Sequence, residues 1–369
     1  MAEKGTSQAK LVISSSPHVH GGNSVSRIMW SVTACLLPAT AVGLYRFGMD
    51  AAIVLATTVG GAMVFEALFQ KLGSRPVTLW DGSAVLTGLL LGLNLPAGTP
   101  VFISLVGSAV AVGLAKAVFG GLGHNPFNPA LTGRVFLLIA FPAAMTTWRL
   151  PAQMMEKGPP KSYFGMKTTW RDQSGRKLDQ SRAAPKQVDV VTGATPLGAL
   201  KEGYKKGTMA LISNTDLVVG RRPGSIGEVS ALALLLGGIL LILLGYVTWH
   251  VPVAFLTTMA LVATITHGID PNRYAPPLFH VLAGGALIGA FFMATDYVTS
   301  PVYPLGKILF GVGCGLLTMV IRLWGGYPEG VSFAILLMNA VTPLLDRYTR
   351  PKRYGWRPGL GRKKRGQTC

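Results

Sequence analysis

Residues 80–96 read WDGSAVLTGLLLGLNLP, and residues 280–301 read HVLAGGALIGAFFMATDYVTSP. Both stretches are apolar and dense in Gly, Ala, Ser and Thr, a composition that lets helix backbones approach closely inside a bilayer. A spanning helix needs about 20 mostly apolar residues. The first stretch falls short of that and closes on Asn94-Leu95-Pro96-Ala97-Gly98, so it reads as a broken or half-length helix. Each stretch also carries one acid, Asp81 near the start of the first and Asp296 toward the end of the second.

Around this pair lie further apolar runs. The candidate spans cover residues 26–46, 49–70, 80–96, 100–120, 128–147, 226–246, 250–268, 279–299, 304–324 and 329–347, which makes ten. The composition agrees: 50% of the 369 residues are hydrophobic, 13% are charged and 46 are glycine. A soluble domain carries about 25% charged residues. The expected fold is an all-α integral membrane protein, which excludes a soluble enzyme, a disordered chain and a disulfide-rich secreted domain.

The net charge of +19 is concentrated in two hydrophilic segments. Residues 148–225 hold 14 Lys+Arg against 6 Asp+Glu, and residues 347–369 hold nine basic residues and no acid. The tail reads as a cytoplasmic anchor on anionic membrane lipid rather than as a nucleic-acid contact. Lys4, Lys10, Arg27, Lys71, Arg75, Lys116, Lys307 and the tail all fall on one side of a ten-span chain. That side is the cytoplasm by the positive-inside rule. The long loop then lies outside; its own basicity is no objection, because long loops translocate largely regardless of charge.

A shift of 201 residues lays the second half on the first without a gap. Ser24-Val25 falls on Ser225-Ile226, Pro76 on Pro277, Leu86-Thr87-Gly88 on Leu287-Ile288-Gly289, and Asn128 on Glu329. Five spans per half is odd, so the two repeats are inverted in the membrane, as in many transporters. The expected organisation is a cytoplasmic segment 1–25, a five-helix repeat 26–147, an outer loop 148–225, a second five-helix repeat 226–347 and a basic cytoplasmic tail 348–369.

An acid within hydrocarbon is costly and reads as functional by default. Asp81, Asp296 and Glu66 are therefore the candidates for handling an ion, although an Asp near the interface also serves as a helix cap. The three cysteines, Cys35, Cys314 and Cys369, are scattered, and no Cys/His cluster offers a metal site. His18 and His20 are too few for one. His124-Asn125-Pro126-Phe127-Asn128-Pro129 reads as a helix entry, with Asn128 the cap and Pro129 the first helical residue.

Within the outer loop stands Asp189-Val190-Val191-Thr192-Gly193-Ala194-Thr195-Pro196-Leu197. The Gly-Ala pair leaves the Thr195 hydroxyl uncrowded. A threonine hydroxyl is a weak nucleophile, so any modification there calls for a dedicated transferase.

Asp-x-x-Thr-Gly-Ala-Thr resembles the flavinylation motif of subunits of the Rnf complex and of the Na⁺-translocating NADH:quinone reductase. Further strings resemble the Rnf D subunits in the same order and spacing. They are SPHVHGGNSVSRIMW, DGSAVLTGLLLGLNLP, GLGHNPFNPALTGRVFLLIAFP and GAFFMATDYVTSP, and together they cover about residues 16–350. The resemblance implies an electron-transfer subunit of an ion-pumping ferredoxin:NAD oxidoreductase in the bacterial cytoplasmic membrane. By the motif, Thr195 bears FMN through a phosphoester, with Asp189, Thr192, Gly193 and Ala194 as its recognition surroundings, on the outer face. It also implies a second, noncovalent flavin such as riboflavin, a flavin transferase, and partner subunits carrying flavin and iron–sulfur centres. The chain has no nucleotide-binding glycine loop or iron–sulfur ligands, so it is not catalytically complete alone. The rival readings are a secondary transporter without a redox cofactor and a membrane scaffold with a decayed motif; flavin on Thr195 separates them from the first.

Overall fold

The structure is a computed structural model that describes residues 24–149, 195–206, 214–220, 222–271 and 273–351, with five short strands between 162 and 192. Helix α1, Val25–Phe47, opens at Ser24, whose hydroxyl accepts from the Arg27 amide at 3.2 Å. A single glycine, Gly48 at φ +62°, turns it into α2, Met49–Leu72. A side chain there would have to adopt the left-handed region that L-residues avoid.

Next comes α3, Ser83–Leu93, with only 11 residues. At 1.5 Å per residue it rises about 16 Å, half of a hydrocarbon core about 30 Å thick. It lies close against α2: a Cβ on Gly88 would meet the Val59 Cα at 2.6 Å. Helix α4, Val101–Ala109, continues as a π-helical stretch, Val110–Ala117. Then follow α5, Pro129–Ala140, and a short α6, Pro142–Met145. Asn128 caps α5 by accepting from the Leu131 amide at 3.2 Å, with Pro129 first in the helix, as the sequence leads one to expect.

The insertion carries short strands within what its charge run reads as loop. Strands β1, Ser162–Tyr163, and β2, Met166–Lys167, pair antiparallel. Strand β3, Thr169–Arg171, sits between β4, Lys177–Leu178, and β5, Val190–Thr192, antiparallel to both. Aromatic and β-branched residues at Thr169, Trp170 and 190–192 suit strands. Helices α7, Pro196–Lys206, and α8, Asn214–Val219, lead back to the bundle.

The second half holds α9, Ala231–Leu243, and α10, His250–Ile269. The stretch expected as one span over 279–299 is three pieces: α11, Pro277–Leu282, α12, Ala286–Ile288, and a π-helical stretch, Gly289–Met293. Gly284 at φ +68° makes the break. Helices α13, Pro304–Trp324, and α14, Val331–Thr349, complete the chain. Element starts recur at nearly one offset: Met49 and His250, Val101 and Pro304, Pro129 and Val331 are 201–203 residues apart.

Helix α2 packs along α3 and α4, α10 along α13, and α13 along α14, while α1 against α9 and α5 against α14 join the halves. Four helices, α1, α2, α10 and α13, are long and apolar enough to cross a membrane, and α3, α4 with its extension, α5 and α9 are shorter apolar helices. Leu236, Ile239, Leu240 and Leu243 of α9 and Leu261, Ile265 and Ile269 of α10 face outward and exposed. Such continuous apolar faces suit lipid rather than water. The body is a helical membrane protein.

Candidate functional site

Thr195 is buried, 4% exposed, immediately before α7. Its Oγ1 accepts from the Gly198 amide at 3.0 Å, and its carbonyl accepts from Ala199 at 2.8 Å, so it caps α7. Pro196 follows as the first helical residue, the arrangement that favours a clean helix start. Farther along α7, Lys201 Nζ donates to the carbonyls of Gly325 and, at 2.8 Å, Tyr327, tying the helix to the far end of α13.

Beside Thr195 lies a cavity of about 220 Å³, walled among others by Trp148, Gly198, Tyr327, Arg134 and Glu329. The strand holding Thr192 ends three residues before Thr195; Asp189, Gly193 and Ala194 lie outside the described residues. The fit to a phosphoester is good at its phosphate end. An anion at a helix N-terminus meets free amides and the positive end of the helix dipole. The cavity, walled by Trp148 and Tyr327, is smaller than the roughly 300–1,000 Å³ typical of small-molecule sites, so it would not enclose a whole flavin.

Behind the cavity the two halves meet through Arg134 of α5. Its guanidinium donates to Glu329, to Asn94 Oδ1 at 2.8 Å and to Ser332 Oγ at 3.1 Å, with Glu228 Oε1 at 3.9 Å. Deeper still, Asn94 Nδ2 reaches Met293 Sδ at 3.7 Å, and Asn128 Nδ2 donates to the Met293 carbonyl at 3.2 Å. Turned to satisfy its neighbours, the Asn339 amide donates to Thr299 O and accepts from the Asn128 amide, both at 3.2 Å. Sequence reading took Asn128 for a cap only and missed Arg134, although a lone arginine inside PALTGRVFLLIA is itself a signal of a buried polar role.

Two of the three acids, Glu66 and Asp81, are joined at the other end. Asp50, near the start of α2, pairs with Arg149, next to the Trp148 that walls the Thr195 cavity. Glu66 is 16 residues farther along α2, about 24 Å at 1.5 Å per residue. It is 3% exposed and ion-paired with Lys116 at 2.6 Å. Lys116 Nζ also donates to Ser83 Oγ at 2.7 Å; that hydroxyl donates in turn to Asp81 Oδ1 at 2.7 Å. Asp81 accepts from the Ser83 amide at 2.8 Å as well, and so holds the first amide of α3 from one residue before its N-cap, Gly82.

Lys116 is the residue that ties these acids together, and the π-helical stretch carries it. π-helical turns often mark functional positions. On one side Glu66 and Lys116 face a cavity of about 360 Å³ with Gln70, Arg75 and Thr78. On the other side Lys116 and Ser83 face a narrow cavity with Asn125, Asn128, Phe291, Phe292 and Asp296. Asp296 accepts from the Thr299 hydroxyl at 3.2 Å. Glu66 Oε2 and Asn125 Oδ1 are buried without a hydrogen-bond partner. Among the described residues no group of three His, Cys, Asp or Glu could hold a metal ion.

A family model described as the NQR2, RnfD, RnfE family matches residues 12–355. The chain is 43% identical over 364 residues to the D subunit of the proton-translocating ferredoxin:NAD(+) oxidoreductase complex of Clostridium ljungdahlii, covering 97% of this chain and 100% of that one. It is 43% identical over 350 residues to the Na(+)-translocating counterpart of Acetobacterium woodii, covering 94% and 96%. The D subunit of the ion-translocating oxidoreductase complex of Stutzerimonas stutzeri matches at 43% over 340 residues, 90% and 93% of the two chains. Two relatives of equal identity are thus named for different ions, so overall similarity does not carry the choice of ion.

Proposed function

The chain belongs to the NQR2, RnfD, RnfE family, and from that membership we propose that it is a membrane electron-transfer subunit of a ferredoxin:NAD oxidoreductase complex that drives an ion across the bacterial cytoplasmic membrane. The observation that carries this reading is the similarity to the D subunits of such complexes along nearly the whole chain. FMN on Thr195 is supported by the motif, by the helix N-terminus at its hydroxyl and by the aromatic walls of the adjoining cavity. Bound there, FMN supplies a one-electron carrier. Thr195 would hold its phosphate at the start of α7, where the Gly198 amide meets its hydroxyl, with Trp148 and Tyr327 lining the adjoining cavity.

A second, noncovalent flavin such as riboflavin, which the family resemblance implies, does not fit the cavity between Asn125, Asn128, Phe291 and Phe292, whose volume is only about 70 Å³. A flavin transferase, partner subunits with flavin and iron–sulfur centres, and membrane lipid complete the assembly.

Ten spans in two inverted repeats account for the recurring element starts and for the half-length α3 and the broken α11–α12 at matching positions. This topology puts Thr195 outside and the Glu66–Lys116–Asp81 network at the cytoplasmic face. With Cys369 changed to Ser, an impermeant maleimide is expected to label Thr147→Cys from outside only and Ser74→Cys from the cytoplasm only. Both native positions are exposed, and Cys35 and Cys314 are buried. Labelling of both from one side refutes an odd number of spans between residues 74 and 147 and, with it, the outward placing of Thr195.

The ion enters at the cytoplasmic network. In vesicles of the assembled complex, Glu66→Gln and Asp296→Asn are expected to lower the ions moved per electron several-fold while leaving flavin content unchanged. Asp81→Asn, whose amide oxygen can still accept from Ser83, is expected to have a smaller effect. Normal ion-to-electron ratios in both of the first two variants remove these acids from the pathway.

A further inference from the structure

Lys116 stands between two cavities and lines both. It is 3% exposed, and its Nζ donates to Glu66 Oε1 at 2.6 Å and to Ser83 Oγ at 2.7 Å. The cavity of about 360 Å³ on the Glu66 side reaches the surface at Arg75, Pro76 and Thr78, all exposed. The cavity on the Ser83 side measures only about 70 Å³ and is lined by Asn125 and Asp296. Each is walled by a residue with one buried oxygen that has no hydrogen-bond partner. In the first it is Glu66 Oε2; in the second it is Asn125 Oδ1, on a residue 4% exposed. A buried acceptor left unpaired is costly, and here one lies on either side of the same ammonium.

We propose that Lys116 is a tethered cation that changes places with a free one. A monovalent alkali ion binds Glu66 from the larger cavity, and the ammonium swings into the smaller one, keeping Ser83 and gaining Asn125 and Asp296. The charges require an exchange. One ammonium already neutralises the one carboxylate, and a second cation beside it would be repelled. Withdrawing the ammonium alone would strand a buried acid, which is as unfavourable. The exchange keeps Glu66 neutralised throughout, and its single charge selects a monovalent ion. Gln70 and Thr78 add oxygens in a cavity with room for water, a donor set that suits a hard cation. Arg75 also lines that cavity, but it is exposed and donates to the Gly120 carbonyl, so water and salt screen it. A lysine is fitted to the movement, being a point charge on a flexible stem. The inference rests on the reading of Glu66 as an ion-handling acid.

The gain lies in release. An ion that leaves Glu66 is replaced at once by the returning ammonium, so the carboxylate is never bare and does not hold the ion as a trap would. The two positions of Lys116 form a two-state element whose balance the ion shifts. The share of chains in which the ammonium is withdrawn sets the apparent affinity for the ion, so residues of the smaller cavity govern binding at Glu66 without touching the ion.

Retention of radioactive sodium by the purified full chain, with ionic strength held constant by choline chloride, tests the exchange. The wild type should bind one Na⁺ per chain saturably, and Glu66→Gln none. Lys116→Met removes the competitor and should bind about tenfold tighter or more. Two variants keep both Lys116 and Glu66 and so decide the matter even if Lys116→Met does not fold. Asn125→Leu takes an acceptor from the smaller cavity and should weaken Na⁺ binding several-fold. Asn125→Asp, of the same size but charged, should tighten it several-fold, still with one ion per chain. A wild type without saturable Na⁺ binding overturns the proposal, as does a folded Lys116→Met that binds no tighter. Unchanged affinity in both Asn125 variants also overturns it, leaving Lys116 a fixed partner of Glu66. Failure of the ion reading shows elsewhere: Glu66→Gln would then pump normally per electron in vesicles, which takes the site off the pathway while the exchange stands.

Discussion

On a denaturing gel, Thr195→Ala made alongside an active flavin transferase is expected to show no fluorescent band at the mass of the chain, where the wild type fluoresces. The effect is all-or-none because the phosphoester has one oxygen to attach to, and alanine has none. The substitution also removes the cap of α7, at about 0.5–2 kcal/mol. Thr195→Ser separates the two consequences: its hydroxyl still accepts from Gly198, so α7 keeps its start and Lys201 keeps its anchor at the end of α13. Loss of folding in Thr195→Ala with a well-folded Thr195→Ser would mark the cap as the cause. A wild-type peptide covering residues 189–201 with no added mass, despite active transferase, would exclude covalent FMN altogether.

Arg134→Met is expected to destabilise the chain by about 3–5 kcal/mol, the usual consequence of stripping one partner from a buried ion pair. It leaves Glu329 and Glu228 without their shared cation and Asn94 and Ser332 without their donor. Thermal unfolding in detergent, read by size exclusion after heating, should show the drop. Adding Glu329→Gln to Arg134→Met should recover part of it, because the orphaned charge goes with the acid, and coupled neighbours are not additive. An Arg134→Met variant as stable as the wild type would show that apolar packing alone joins α5 to α14.

Much of the helical layout was legible because hydrophobic runs report on burial residue by residue. The starts of α2, α10 and α13 and the Asn128-Pro129 entry of α5 sit where the runs and the capping chemistry put them. The half-length α3 was readable from its closing Asn94-Leu95-Pro96. Its counterpart carries the same glycine-rich signal of interruption, but the place of the break was not readable, because the extended Ala283 and the positive φ of Gly284 make it without a proline. The strands of the insertion are two or three residues long, too short to show a period of two. The acids are visible one at a time, but their partner Lys116 is 50 residues from Glu66 and by sequence is only one of the charges on the cytoplasmic side. Contacts such as Arg134–Glu329, 195 residues apart, leave no local trace at all. The Thr195 motif was legible, yet its burial was not, since that depends on the distant turn between α13 and α14 meeting α7.

The arginine between the halves also bears on how a duplicated chain comes to depend on both its copies. In the register displaced by 201 residues, Arg134 falls on Ile335, Glu329 on Asn128 and Glu228 on Arg27. One copy thus brings the cation and the other brings both anions, and neither brings its own complement. A pair made of two first halves would bury two arginines face to face, and a pair of second halves would bury four carboxylates. Only the mixed pair brings opposite charges together. The two halves have diverged into lock and key, and a gene split at the outer loop should yield fragments that assemble with each other and refuse to assemble with themselves.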